Sequence, residues 1–242
     1  MLKKAILVAL CIVGAGCQQP PLTATRTKTS LSNGIRFNYM VQEVAGWDVI
    51  VEDTVWLERP GVTRKALDAI GASLSKIAAK LPAQPLTKLR TIPIYLTDTR
   101  SAPAPLHVHR SKAWLAEHGE DVEKVDAVDV CDPDAIASHL ESQELGMLLE
   151  LSFAFQQRFF TADDKANLLK LFNAALAEGK YGMVASDKGV RRSFASASMS
   201  TYFAVGSEAY WGRSATYPHT RADLKEYDPR LHDFMESVWM RQ

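Results

Sequence analysis

Apolar residues recur at steps of three and four through Leu67, Ile70, Leu74, Ile77 and Leu81. That spacing predicts an amphipathic helix, and Pro82 ends it. Before it, Ile35 to Val41 and Trp47 to Glu52 read as short strands around a Gly46 turn, with Val55-Trp56-Leu57 as a brief apolar continuation. Thr91 to Thr97 reads as a strand that Pro93 pushes to a sheet edge. Thr99 to Arg110 reads as a loop, Lys112 to His118 as a helical turn, and Asp126 to Cys131 as another strand. Glu144 to Phe160 is apolar on nearly every face, which predicts a buried helix. Thr161 and Asp164 form a reciprocal cap for the next helix, which ends near Gly179. Lys188 to Arg192 is a basic loop. Ser198 to Trp211 is a helix stopped by Gly212, and Arg221–Tyr227 and Arg230–Trp239 are final helices around Pro229. Strands first and helices last predict an α+β fold: a small N-terminal sheet with helices, then a mainly helical C-terminal half.

The N-terminal end departs from this pattern. Lys3 and Lys4, the apolar run Ala5 to Val13, small residues Gly14-Ala15-Gly16 and then Cys17 have the order of a secretion signal. They resemble a bacterial lipoprotein signal, with Gly14 where that family usually has leucine. The resemblance implies residues 1–16 as signal peptide and lipidated Cys17 as the membrane anchor. It also implies a cell-envelope location, at the outer membrane facing the periplasm in a Gram-negative cell, since Gln18 rather than aspartate follows. An ordinary cleaved signal or a short anchor are the other readings. Residues 17–32 are polar and rich in Thr, Pro and Gln, which predicts a flexible tether. Residues 33–242 are of a size for one domain.

Charge and cysteine narrow the picture further. Loss of Lys3 and Lys4 with the signal takes the 28 basic residues to 26 against 28 acidic ones. No basic tract occurs, so nucleic acid is not an expected partner. Processing leaves Cys131 without a partner cysteine.

Candidate chemistry centres on Leu149-Glu150-Leu151-Ser152-Phe153 in the apolar helix, with Tyr202-Phe203-Ala204-Val205-Gly206-Ser207-Glu208-Ala209-Tyr210 downstream. With Trp114 to Gly119, Ala127 to Val130, Tyr217 to Leu224, Asp228-Pro229 and Trp239, these segments resemble a group of secreted bacterial zincin metallopeptidases, distantly the catalytic domain of anthrax lethal factor. The resemblance covers about half of the mature chain and implies a zincin-like fold. In such enzymes two histidines four apart on a helix and an acidic residue from a later helix hold Zn²⁺, and a glutamate between the histidines is the general base. Here the ligand positions correspond to Leu149, Phe153 and Val205, none of which offers a lone pair. Only Glu150 keeps its type. The resemblance therefore implies a pseudoenzyme with no metal, no cofactor and no catalytic residue, and with a binding or scaffold role toward a peptide or an envelope protein. Glu208, Tyr210 and Tyr202 are the residues expected along its cleft. The alternatives are an ordinary core helix, or an active hydrolase with a non-standard constellation.

Glu150, on a buried helix without zinc, needs either a partner (Arg191, Arg192, Tyr202 or Tyr210) or a raised pKa. His107 and His109 share one face at strand spacing but read as a surface pair lacking a third ligand. Ser73-Leu74-Ser75-Lys76 matches S-x-x-K by chance, inside a helix and without companion motifs. Cys131 reads as inert core.

Overall fold

A computed structural model describes residues 22–99 and 104–241. The expected signal peptide and Cys17 lie outside the described residues. Six strands form one mixed sheet: β1 (Arg26–Ser32), β2 (Ile35–Val44), β3 (Trp47–Glu52), β4 (Ile94–Leu96), β5 (Leu106–Val108) and β6 (Val128–Val130), in the order β1-β2-β3-β4-β6-β5. β1, β2 and β3 are antiparallel neighbours, β3, β4 and β6 run parallel, and β5 closes one edge antiparallel to β6.

Ten α-helices accompany the sheet among the described residues. Four are interleaved with the strands: α1 (Asp53–Glu58), α2 (Pro60–Lys80), α3 (Ala83–Arg90) and α4 (Lys112–Glu117). Six follow them: α5 (Ile136–Glu141), α6 (Leu148–Phe159), α7 (Ala162–Ala177), α8 (Met199–Trp211), α9 (Arg221–Tyr227) and α10 (Pro229–Trp239). The architecture is thus mixed α and β, with every strand at or before Val130 and the chain after it mainly helical.

Four readings of the sequence are corrected. Arg26–Ser32 belongs to β1 and not to a tether, because its backbone pairs along its whole length with β2. β4 is central, not an edge: Pro93 lies just before the strand, so no ladder donor is lost. The Pro-rich loop contains β5, too short to show a period in the sequence. The apolar continuation at Val55 to Leu57 is helix α1. Helix α6 also begins later than expected, at Leu148. Its first turn is tied to α2, where the Ser73 hydroxyl accepts a hydrogen bond from the Met147 amide (3.0 Å); this is the structural role of the S-x-x-K serine.

Alternation along the strands gives the sheet two unlike faces. Val49, Val51, Ile94, Leu96, Leu106, Val128 and Val130 point into the main apolar core with α2, α6 and α8. The opposite face carries a small cluster of Tyr39, Val41, Ile50, Tyr95 and Ala127, and beside it a buried polar layer. There Asp121 accepts from the hydroxyls of Ser30, Ser32 and Tyr39. Lys124 bridges Glu120 (2.7 Å) and Asp129 (3.2 Å). The β2–β3 turn requires glycine at position 46: its φ is +89°, and a Cβ there would lie 2.6 Å from Nε of Arg90.

The expected cap at Thr161 is present as a full capping box with Asp164. Arg241 holds both oxygens of Asp164, at 2.6 and 2.7 Å. That guanidinium, with the Thr161 hydrogen bonds, lowers the Asp164 carboxyl to about 2. A depressed carboxyl contributes stability that is present above its unfolded pKa near 4 and is lost as pH falls through about 2. Because Arg241 is substantially exposed, Arg241→Ala should cost only about 1 kcal/mol near neutral pH. The cost should vanish at about pH 2, as measured by denaturant unfolding at the two pH values.

Candidate functional site

Helices α6 and α8 pack directly on each other, and the segments 186–197 and 213–216 rise beside them. Between these elements lies a cleft of ≈ 970 Å³. Leu149 from α6 and Val205 and Glu208 from α8 line it together. Two of the three positions matched to metal ligands therefore line the same cleft. The third, Phe153, is buried in α6 with the Arg110 guanidinium 5.3 Å from its ring centroid.

The cleft rim is basic. Lys188, Arg191, Arg192 and Arg213 line it. Arg213 pairs with Asp187 (3.0 Å), and Glu144 pairs outward with Lys80 (2.7 Å). Arg192 donates to the Ser196 hydroxyl at 2.9 Å. Lys188, Arg191 and Arg192 have no carboxylate partner among the described residues. Phe194 adds an exposed aromatic ring to the same rim. Sequence reasoning named Arg191 and Arg192 only as partners for Glu150; the convergence of the two loops on α8 is tertiary and left no local signal.

Glu150 forms no hydrogen bond or ion pair among the described residues. Of the two expectations for it, the raised pKa holds: burial pushes its carboxyl up to about 8, with Arg110 opposing. Glu208 is likewise pushed up to about 8 by burial, and the Glu150 charge raises it further. The two carboxyls, one on each helix, are thus electrostatically coupled, and both are held neutral at neutral pH.

The two tyrosines expected as partners of Glu150 are engaged elsewhere. Tyr202 donates to Asp228 (2.6 Å). The Tyr210 ring lies 4.1 Å from the Arg221 guanidinium. Both tyrosines are buried, and neither lines the cleft, so their expected place along it is corrected. Their alternation with small residues on an all-round apolar helix left no way to tell core from cleft in the sequence.

A separate group lies on the polar face of the sheet. His107 Nε2 is 3.0 Å from His109 Nε2, and His109 Nε2 is 2.9 Å from Asp129 Oδ2. Asp129, in the β6 register position opposite His107, supplies the third polar group that the sequence reading of the pair lacked. Cys131 Sγ is 3.4 Å from His107 Nδ1 and donates to the Ala104 carbonyl at 3.0 Å. Burial pushes that thiol up to about 12, so it is a poor nucleophile despite the adjacent histidine.

Comparison with protein-family models, curated proteins and solved structures finds no match. Among the described residues no helix is long and apolar enough to cross a membrane.

Proposed function

We propose that this chain is a lipid-anchored envelope protein, held by Cys17, whose zincin-like domain binds a polypeptide partner in its cleft and does not cut it. One observation carries the reading: Leu149 and Val205, on different helices, line the same cleft and offer only hydrocarbon to it. Three supports accompany it. The strand order places an antiparallel edge strand, β5, against α6. Glu150 and Glu208 are neutral rather than charged at neutral pH. The rim cations Lys188 and Arg191, with no carboxylate partner among the described residues, suit acidic side chains of a bound segment.

The test is cleavage. Incubation of the purified chain with a proteome-derived peptide library, with and without added Zn²⁺, should give no cut sites by mass spectrometry. Cleavage that disappears in Glu150→Gln would overturn the proposal. A second measurement restores donors: Leu149→His, Phe153→His and Val205→Glu together should take up one more equivalent of zinc than the parent chain, with the fold monitored by circular dichroism.

A second reading has its own observation. Two carboxyls with raised pKa values, one on α6 and one on α8, with the charge of Glu150 acting on Glu208, are the kind of groups that acid–base catalysis uses. A hydrolase of that type would lose activity in Glu150→Gln and in Glu208→Gln alike, with no dependence on added metal.

A further inference from the structure

We infer that His107, His109 and Asp129 form a binding site for a divalent first-row transition ion, with zinc as the occupant we commit to. The site is on the sheet face opposite the one that α6 covers. It is independent of the binding reading of the cleft.

An imidazole nitrogen has one in-plane direction, filled either by a hydrogen or by a lone pair. His109 Nε2 faces two partners at once, His107 Nε2 at 3.0 Å and Asp129 Oδ2 at 2.9 Å. If it carries a hydrogen, that hydrogen can point squarely at only one of them. If it carries none, its lone pair faces a carboxylate. No placement of protons on these rings satisfies both contacts in full. A cation between the three atoms satisfies all of them.

The geometry suits such an ion. Tetrahedral zinc with bonds of about 2.0–2.1 Å spaces its ligand atoms about 3.3 Å apart. The donor atoms of His107, His109 and Asp129 all lie within 4.8 Å of one another, so small side-chain adjustments complete a three-ligand shell. Two imidazoles and one carboxylate are a donor set for zinc and its neighbours in the series rather than for calcium or magnesium. The half-buried position of His107 leaves room for a fourth ligand from solvent.

The supports behind the donors are those that orient metal ligands. Thr97 donates to the other oxygen of Asp129 at 3.0 Å. His107 Nδ1 faces Cys131 Sγ. Trp114 stacks on the His109 ring at 5.6 Å between centroids. Lys124 also reaches Asp129 Oδ2, at 3.2 Å, and its charge weakens binding. It is held independently by Glu120 at 2.7 Å, so ligation of Asp129 leaves the ammonium paired.

The purified full chain, stripped with a chelator, is titrated with Zn²⁺ and with Co²⁺, and bound metal is counted after dialysis. One equivalent is expected, with the visible absorption of imidazole-ligated Co²⁺. His107→Ala, at the half-buried edge strand, should lower affinity at least about tenfold. The metal-free thermal melt of the variant should match that of the parent. His109→Asn provides a second test of the same site. Asp233→Asn with Glu236→Gln, which dismantles the other three-donor group at His232, should leave binding unchanged. Failure of the parent to retain metal overturns the proposal, as does retention that survives both histidine variants or depends on Asp233 and Glu236. Peptide cleavage bears on the cleft alone, so the two proposals fail separately.

Discussion

Glu150→Gln should stabilise the protein by about 2 kcal/mol at about pH 9 and change little at about pH 4. The sign follows from the direction of the shift. Burial raises the Glu150 carboxyl from an ordinary 4.5 to about 8. The folded state therefore holds a proton that the unfolded state has released. Stability from such a group is complete below the unfolded pKa and is lost as pH rises through the folded one. Glutamine, with no charge to bury, abolishes the loss. The full rise corresponds to roughly 4–5 kcal/mol, but both residues are only partly buried, so about half is expected. Glu208→Gln should act in the same direction. The double variant should gain less than the two single gains combined, because each single substitution already removes the shared repulsion. Urea unfolding across the pH range measures all three. A Glu150→Gln variant that loses stability at high pH would mean that the carboxylate has a favourable partner, against the absence of any hydrogen bond or ion pair to Glu150 among the described residues.

This pair also marks where the sequence stopped being legible. The amphipathic period of α2, the capping box at Thr161, and the start and stop of α8 at Ser198 and Gly212 are local signals, and each appears at its expected place. The elements that escaped are those whose signal is tertiary. β5 is three residues long and is a strand only because β6 lies beside it. β1 alternates weakly, and its polar side faces the buried acid Asp121, so burial there is polar and gives no apolar period. The same holds for chemistry. Glu150 was legible as a buried acid from its helix alone. Its coupling to Glu208, fifty-eight positions later, required the packing of α6 on α8. Asp129 likewise became the third member of the histidine group only through the β5–β6 register.

Asp228→Ala should be the most damaging single change outside the apolar core, with an expected cost of about 3–4 kcal/mol. Asp228 is fully buried. Its Oδ2 accepts the hydroxyls of Tyr202 (2.6 Å) and Tyr181 (3.2 Å), and its Oδ1 caps α10 at the Leu231 amide (3.4 Å). One residue thus joins the loop after α7, the buried face of α8 and the start of α10. Alanine strands two hydroxyls in a site that water cannot easily refill, each costing about 1–3 kcal/mol when unpaired, and removes a cap worth about 1 kcal/mol. Tyr202→Phe removes one donor and leaves the acceptor satisfied by Tyr181, so it should cost about 1 kcal/mol. Asp228→Asn keeps an acceptor oxygen and should fall between the two. The order alanine, asparagine, then Tyr202→Phe in decreasing damage is the outcome to check by urea unfolding at neutral pH. Because α8 also carries Val205 and Glu208, loosening this junction should disturb the cleft before the sheet. Hydrogen exchange of the α8 and α10 amides should accelerate in Asp228→Ala while β3, β4 and β6 remain protected; uniform loss of protection would show instead that the C-terminal helices and the sheet unfold as one unit.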